Sequence, residues 1–241
     1  GSDGDRVRLI APLTPFHGTD WVTGIFAVVS GTGKGQLAEV VANKGLEIQL
    51  AHPLAVPLDA TSVVTVAPNC GQGIIAGNSY TGGTSLQLYG GNRYVLAHNS
   101  LAQMRGSKKI PGGGIRILGL VYDDEGIVPA HLPLMRVELV GNRLTDTNGI
   151  GVHGCDVCNL PFAICNPSCP VGTDLAQGVV IRGNTIARTH VCELQHWRDV
   201  CANKVIDCYC QGISIQEKLL GAVVEGNSLD GNSSIVVSTD A

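Results

Sequence analysis

Three residues of this chain, Arg116, His153 and Glu193, are suited by type to acid–base work on an anionic substrate. A guanidinium pairs with a carboxylate through two parallel hydrogen bonds. An imidazole or a carboxylate moves protons near neutral pH, and a tyrosine can do the same. Around them stand Tyr89, Gln195, Trp197 and Gln216, with Tyr89 and Trp197 as the stacking surfaces for a flat ligand. Asp123, Asp124 and Glu125 in "YDDEG" form the densest acidic run, for which a solvated loop, a Ca2+ site and an acid pair are all open readings.

These residues need elements to hold them. Most lie in short runs of alternating apolar and polar residues: "TSLQLY" (84–89), "GIRIL" (114–118), "GIGVH" (149–153), "GISIQ" (212–216) and "SSIVVS" (233–238). Alternation over four to six positions is the signature of a strand with one buried face. Aligning these runs and the segment carrying Glu193 places Gln87, Tyr89, Arg116, His153, Glu193, Gln195, Ser214 and Gln216 at outward positions. Arg116, His153 and Glu193 are thereby expected on one surface.

A second pattern recurs just before these strands. "IIAGNSYTGG", "VLAHNSLAQM", "VELVGNRLTDT", "VVIRGNTIART", "VCANKVIDCY" and "VVEGNSLDGN" share an asparagine at Asn78, Asn99, Asn142, Asn184, Asn203 and Asn227, with gaps of 21, 43, 42, 19 and 24 residues. The long gaps are close to twice the short ones, so the expectation is a unit of about 21 residues with a degenerate copy inside each long gap. Such a unit is too short for a βαβ crossover of roughly 30 residues. It fits one turn of a parallel β-solenoid, completed by its neighbours. Asn suits the corners, because it tolerates left-handed backbone and its amide hydrogen-bonds nearby backbone. Stacked at about 4.8 Å, identical Asn side chains can form a ladder. The competing reading, hairpin turns of an antiparallel sheet, fits less well because here Asn follows Gly and the period is regular.

"VELVGNRLTDTNGIGV" (137–152) resembles the coils of right-handed parallel β-helices of the pectate-lyase-like superfamily, and the resemblance extends over roughly residues 69–241. It implies an all-β fold, a right-handed parallel β-helix with an N-terminal β-rich module at 1–68. It also implies an extracellular or cell-surface protein that handles acidic polysaccharides. "GGGIRI" (112–117) is similar to a segment of alginate- and chondroitin-type lyases, but neither their lysine base nor the paired aspartates of polygalacturonase-like hydrolases is recognisable. Two functions therefore stand open: an enzyme or binder of acidic polysaccharide, and a non-catalytic fibre or adhesion rod. Within 1–68, "GTGKGQ" and "PLDATSVV" resemble pieces of a small module found in large extracellular β-helix proteins. "SGTGKGQ" is a turn rather than a phosphate loop, since Gly35 follows Lys34 and the GxxxxGK spacing is absent.

Composition agrees. The chain has 32 Gly, only 4% aromatic residues, 44% hydrophobic residues and a net charge of −4, which argues against a nucleic-acid surface. No apolar run is long enough to span a membrane. The chain begins "GSDGDR", which suggests a processed or engineered product or a piece of something longer.

Nine cysteines, eight of them between 155 and 210, point to an oxidising compartment and a secreted protein. Cys155, Cys158, Cys165 and Cys169 are too tightly spaced for the usual zinc ribbon, so two local disulfides stapling a loop at about 155–169 are the favoured reading. Cys192 and Cys210 are separated by nearly one repeat, within reach of a bond between adjacent coils. At the C-terminal side, "GNSLDGNSSIVVSTDA" ends on a strand-like coil with no amphipathic helix. Its open edge is expected to be covered by a chain continuation or by self-association.

Overall fold

The computed structural model describes residues 1–11, 21–67, 69, 72–83, 85–104, 113–122, 130–157, 176–189, 212–216, 219–230 and 234–238. It is all-β, with no helix among them. The first part is one antiparallel sheet of β1 (Ser2–Asp3), β2 (Arg6–Arg8), β3 (Ile25–Ser30), β4 (Leu37–Lys44), β5 (Glu47–Leu50) and β6 (Val63–Ala67), in the order β1-β2-β5-β4-β3-β6. Strand β3, "IFAVVS", is apolar on both faces because both are covered. Phe26 and Val28 pack against Val40, Ile48 and Leu50, while Ile25, Ala27 and Val29 pack against Met135 of the following part.

"GTGKGQ" is the turn between β3 and β4, and it is tied to "PLDATSVV" by a compact set of hydrogen bonds. Thr32 Oγ1 donates to Asp59 Oδ2 at 2.7 Å, Thr61 N and Oγ1 donate to Asp59 Oδ1 at 2.8 and 2.6 Å, and Ser62 Oγ donates to the Thr32 carbonyl at 2.8 Å. These bonds, that of the Thr61 hydroxyl first, hold the Asp59 carboxyl at about 2, below its ordinary 3.8.

From residue 73 the strands pair in parallel, in three sheets. Sheet I holds β7 (Gly73–Ala76), β11 (Tyr94–Ala97), β16 (Glu138–Val140), β19 (Ala176–Arg182) and β22 (Leu219–Glu225), with the short β10 (Gly91–Asn92) and β15 (Leu134–Met135). Sheet II holds β8 (Ser79–Thr81), β12 (Ser100–Ala102), β17 (Arg143–Thr145), β20 (Thr185–Ala187) and β23 (Ser228–Leu229). Sheet III holds β9 (Leu86–Tyr89), β13 (Gly114–Tyr122), β18 (Gly149–Val157), β21 (Gly212–Gln216) and β24 (Ser234–Ser238). The end of β13 also folds back on β14 (Ala130–Leu132), which runs antiparallel to it. The chain visits sheets I, II and III in that order in every cycle.

In-register pairing turns each inward position into a column. Leu96, Leu139 and Ile181 stack in sheet I, Leu101, Leu144 and Ile186 in sheet II, and Ile115, Ile150 and Ile213 in sheet III. All are essentially fully buried and belong to one core. Each such side chain contributes about 1.5–3 kcal/mol relative to leaving it in water. A column step of one strand spacing suits Ile, Leu and Val better than rings, which accounts for the low aromatic content. At the entrance to sheet III the backbones come closer still. A Cβ on Gly114 would lie 2.0 Å from the Gly149 carbonyl oxygen, and one on Gly149 would lie 2.0 Å from that of Gly212. Glycine at positions 114 and 149 is therefore a steric requirement.

The corner between sheets I and II is built on asparagine. The residue ahead of each Asn has left-handed backbone, with φ of 68° at Gly77, 54° at His98, 62° at Gly141 and Gly183, and 61° at Gly226. Glycine adopts this conformation freely, whereas His98 does so at a cost of about 1 kcal/mol. Asn itself does not take the left-handed conformation, contrary to the expectation from its type. Its work is hydrogen bonding. Asn142 N and Nδ2 donate to Asn184 Oδ1 at 2.8 and 2.9 Å, its second Nδ2 proton goes to the Leu96 carbonyl at 2.8 Å, and its own Oδ1 accepts from Asn99 N and Nδ2, both at 3.0 Å. The same pattern links Asn78 to Asn99 and Asn184 to Asn227.

These rungs correct the expected repeat. Asn99 bonds directly to Asn142 across 43 residues, Asn142 to Asn184 across 42 and Asn184 to Asn227 across 43, so each long gap is one cycle with no copy inside. Only the cycle from Asn78 to Asn99 takes 21 residues. "GIRIL" is the sheet III strand of the cycle that starts at Asn99, paired with β9 on one side and β18 on the other. Part of the extra length of the Asn99 cycle is the antiparallel β13–β14 pair. Asn203 lies outside the described residues, and no rung stands between Asn184 and Asn227.

Two outcomes are expected from this arrangement. Asn142→Ala removes four hydrogen bonds at a site 1% exposed and orphans the partner groups, so denaturant unfolding should show a loss of about 3–5 kcal/mol, against about 1 kcal/mol for Asn78→Ala at the exposed end. Asp59 has a depressed folded pKa, so its contribution is present above 3.8 and is lost as pH falls towards about 2. The stability difference between wild type and Asp59→Asn should therefore be constant at neutral pH and shrink through that acid window.

Candidate functional site

The face that gathers sequence-predicted side chains is the outer surface of sheet III. Arg116 lies between Ile115 and Ile117, both fully buried, so alternation turns it outward, where it is half-buried. Gln87 opposes it on the neighbouring strand, and Gly151 opposes it on the other side. Tyr89 is two positions along from Gln87 and 42% exposed. The Tyr89 hydroxyl donates to Gln87 Oε1, and Gln87 Nε2 donates to Ser85 Oγ at 2.6 Å, so the amide is held by its neighbours beside the arginine.

His153 is described by its backbone only. It pairs with Leu118 and Gln216, and it lies two positions beyond Gly151, the residue opposite Arg116. On sheet geometry this puts the Arg116 and His153 Cα atoms roughly 8 Å apart on adjacent strands. Gln216 occupies the next strand in the same register as His153. Sheet III thus brings the positions of Tyr89, Arg116, His153 and Gln216 onto neighbouring strands. Glu193, Gln195 and Trp197 lie outside the described residues, as do Asp123, Asp124 and Glu125. Of the cysteines, Cys155 lies in β18 with its backbone alone described; Cys158, Cys165, Cys169, Cys192 and Cys210 lie outside. Among the described residues no three His, Cys, Asp or Glu gather in a way that could hold a metal ion. No helix among them is long and apolar enough to cross a membrane.

Chemically, the sheet III face presents a guanidinium, an oriented amide and a phenol. No carboxylate stands with them among the residues whose side chains are described. A guanidinium has the chemistry to pair with an anion, and a phenol ring offers a surface for stacking. Residue type alone also hid a second cationic feature. Arg93 and Arg136, both exposed, occupy a kink in sheet I with left-handed φ of 60° and 53°, and Arg93 N donates to the Met135 carbonyl at 3.0 Å. Gly178 and Gly221 occupy the same kink in later cycles, with φ of 62° and 70°. The glycines were the available signal, since arginine in that conformation carries none.

At the corner after sheet II, Arg188 forms a two-pronged bond to Asp146 in the preceding cycle, Nε to Oδ1 and Nη2 to Oδ2, each 2.9 Å. That hydrogen-bonded carboxylate, with Asp230 adding a smaller effect, raises the Arg188 pKa. Both side chains are solvated, so the pair adds little to stability.

No protein-family model and no curated protein matches this chain. Among solved structures it is similar to the tailspike protein gp49 from Pseudomonas phage LKA1, at 11% sequence identity and a TM-score of 0.22, over 99% of this chain. The chain covers 60% of that tailspike, and a likeness at this score carries no argument.

Proposed function

We propose that the parallel part is a right-handed β-helix of an extracellular or cell-surface protein, and that its sheet III face binds an acidic polysaccharide. Right-handedness rests on the general rule for parallel crossovers. The observation that carries the binding reading is Arg116 set outward in register with Gln87, whose amide the Tyr89 hydroxyl orients. A uronate carboxylate paired with Arg116, with the sugar ring against Tyr89, uses each group for what it does best. His153 and Gln216 extend the same face across the next two cycles. Cleavage, with Arg116, His153 and Glu193 as the groups that would carry it, is the extension of this reading, and binding is the part advanced here. Disulfides among Cys155, Cys158, Cys165 and Cys169, and between Cys192 and Cys210, belong to the same extracellular reading.

A non-catalytic rod is the second reading, favoured by the stacked asparagines and the continuous apolar columns. A panel of uronate polymers separates the two. Titration calorimetry should show binding to at least one polymer, weakened about tenfold or more by Arg116→Ala, the loss of one charge-assisted pair. Arg93→Ala/Arg136→Ala should leave that affinity unchanged. Loss of binding only in the Arg93/Arg136 variant places the ligand on sheet I instead. No binding across the panel leaves the rod.

A further inference from the structure

The kink in sheet I sets two guanidinium groups on neighbouring strands. Asn92 pairs with Met135, Met135 with Gln177 and Gln177 with Leu220. The next residue of each strand, Arg93, Arg136, Gly178 and Gly221, therefore forms a column with about 4.8 Å between neighbours. All four have left-handed backbone, with φ of 60°, 53°, 62° and 70°. Glycine adopts this conformation freely, and Gly178 and Gly221 show what the kink itself asks for. Arginine is strained there. Two like charges facing each other on adjacent strands add repulsion to that strain.

Among the described residues no carboxylate offsets these costs. Arg182 pairs with Glu225 and Arg188 with Asp146, but neither Arg93 nor Arg136 is in an ion pair, and both are exposed. Glu138, two residues beyond Arg136 and also exposed, is not bonded to it. The column also borders the N-terminal sheet. In the row one residue earlier, Met135 packs against Ile25, Ala27 and Val29, and a Cβ on Gly35 would come within 2.8 Å of Leu220 Cδ2. The seam between the two parts of the chain thus runs beside the arginines, and such seams are a favoured place for ligand sites. Beyond Arg136 the column is bare. The Arg136 Cγ lies 3.9 Å from the place a Gly178 Cβ would take, and nothing lies within 4 Å of the place for one on Gly221.

We propose that Arg93 and Arg136 together hold one tetrahedral oxyanion, a phosphoryl or sulfo group on a ligand lying along this seam. Each guanidinium offers a fork of parallel N–H donors. A tetrahedral group presents a separate pair of oxygens to each fork, whereas a carboxylate has one pair and occupies one fork. The bound anion also removes the repulsion between the two arginines, which the empty site carries. The bare glycine positions of the next two cycles leave room for the rest of the ligand. This site lies on a different sheet from Arg116, and it stands independently of the uronate reading of sheet III.

Glucose 6-phosphate, glucose 6-sulfate and glucuronate share a sugar and differ in the acid, so titrating each into the whole isotope-labelled chain by NMR reads the proposal directly. At least one of the two esters should shift the backbone and Nε resonances of Arg93 and Arg136, and the tighter ester names the group. Glucuronate should bind there about tenfold more weakly or worse. Arg93→Gly and Arg136→Gly should each weaken ester binding about tenfold or more, the loss of one charge-assisted pair. Because glycine relieves the strain, both variants should stay folded and unfold at higher denaturant than wild type. Arg143→Ala, at an exposed arginine of sheet II, removes the same charge elsewhere and should leave ester binding unchanged. Ester-induced shifts absent from Arg93 and Arg136, glucuronate bound there as tightly as the esters, or undiminished affinity in both glycine variants overturns the proposal. So does a fall in their stability, which would make the arginines structural, or an equal loss of binding in Arg143→Ala.

Discussion

A backbone that turns a corner between two sheets leaves amides and carbonyls that no strand can pair, and the buried asparagine amide is what pairs them here. Asn99, Asn142 and Asn184 each serve the backbone or amide protons of one neighbouring rung and the carbonyl of another, from positions no more than 1% exposed. An unpaired polar group at such depth costs about 1–3 kcal/mol. Without these side chains the corner would have to open to water. The apolar columns on either side, Leu96–Leu139–Ile181 and Leu101–Leu144–Ile186, would then lose their alignment.

The ladder also separates what can vary from what cannot. Because register is fixed at the corner, a cycle can take 21 residues or 43 and still return its next Asn to the same place. Loop closure cost rises slowly with length, so the long excursions are tolerated while the strands stay short. The sheet III face benefits from the same constraint: Gln87, Arg116 and the strand position of His153 line up because the corner and the Gly114–Gly149–Gly212 stack fix where each strand begins.

Much of this was legible in the chain. Alternation and the recurring "G-I" identified the sheet III strands, and an outward Arg116 followed from its apolar neighbours. The repeat length was misjudged, because the 21 residues from Asn78 to Asn99 set the expected unit, and a local pattern carries no information about which corners are adjacent. The kink residues Arg93 and Arg136, and His98 at a position where four other cycles use glycine, were invisible for a related reason. Left-handed backbone is announced by glycine, and the surrounding structure can impose it on other residues. The bonds joining Thr32 to Asp59 and Thr61 span 27 and 29 residues, so the two pieces of the N-terminal module could be noticed but not placed together.

Hydrogen exchange of the asparagine backbone amides, followed residue by residue by NMR, tests the central role of the ladder most directly. These N–H groups have no strand carbonyl as partner, so only the side-chain rungs can protect them. Protection of Asn99, Asn142 and Asn184 as strong as that of the buried strand amides, falling at Asn99 in Asn142→Ala, is what the account predicts. Exchange at Asn142 as fast as that of an exposed loop amide, while the amides of the flanking strands stay protected, would contradict it.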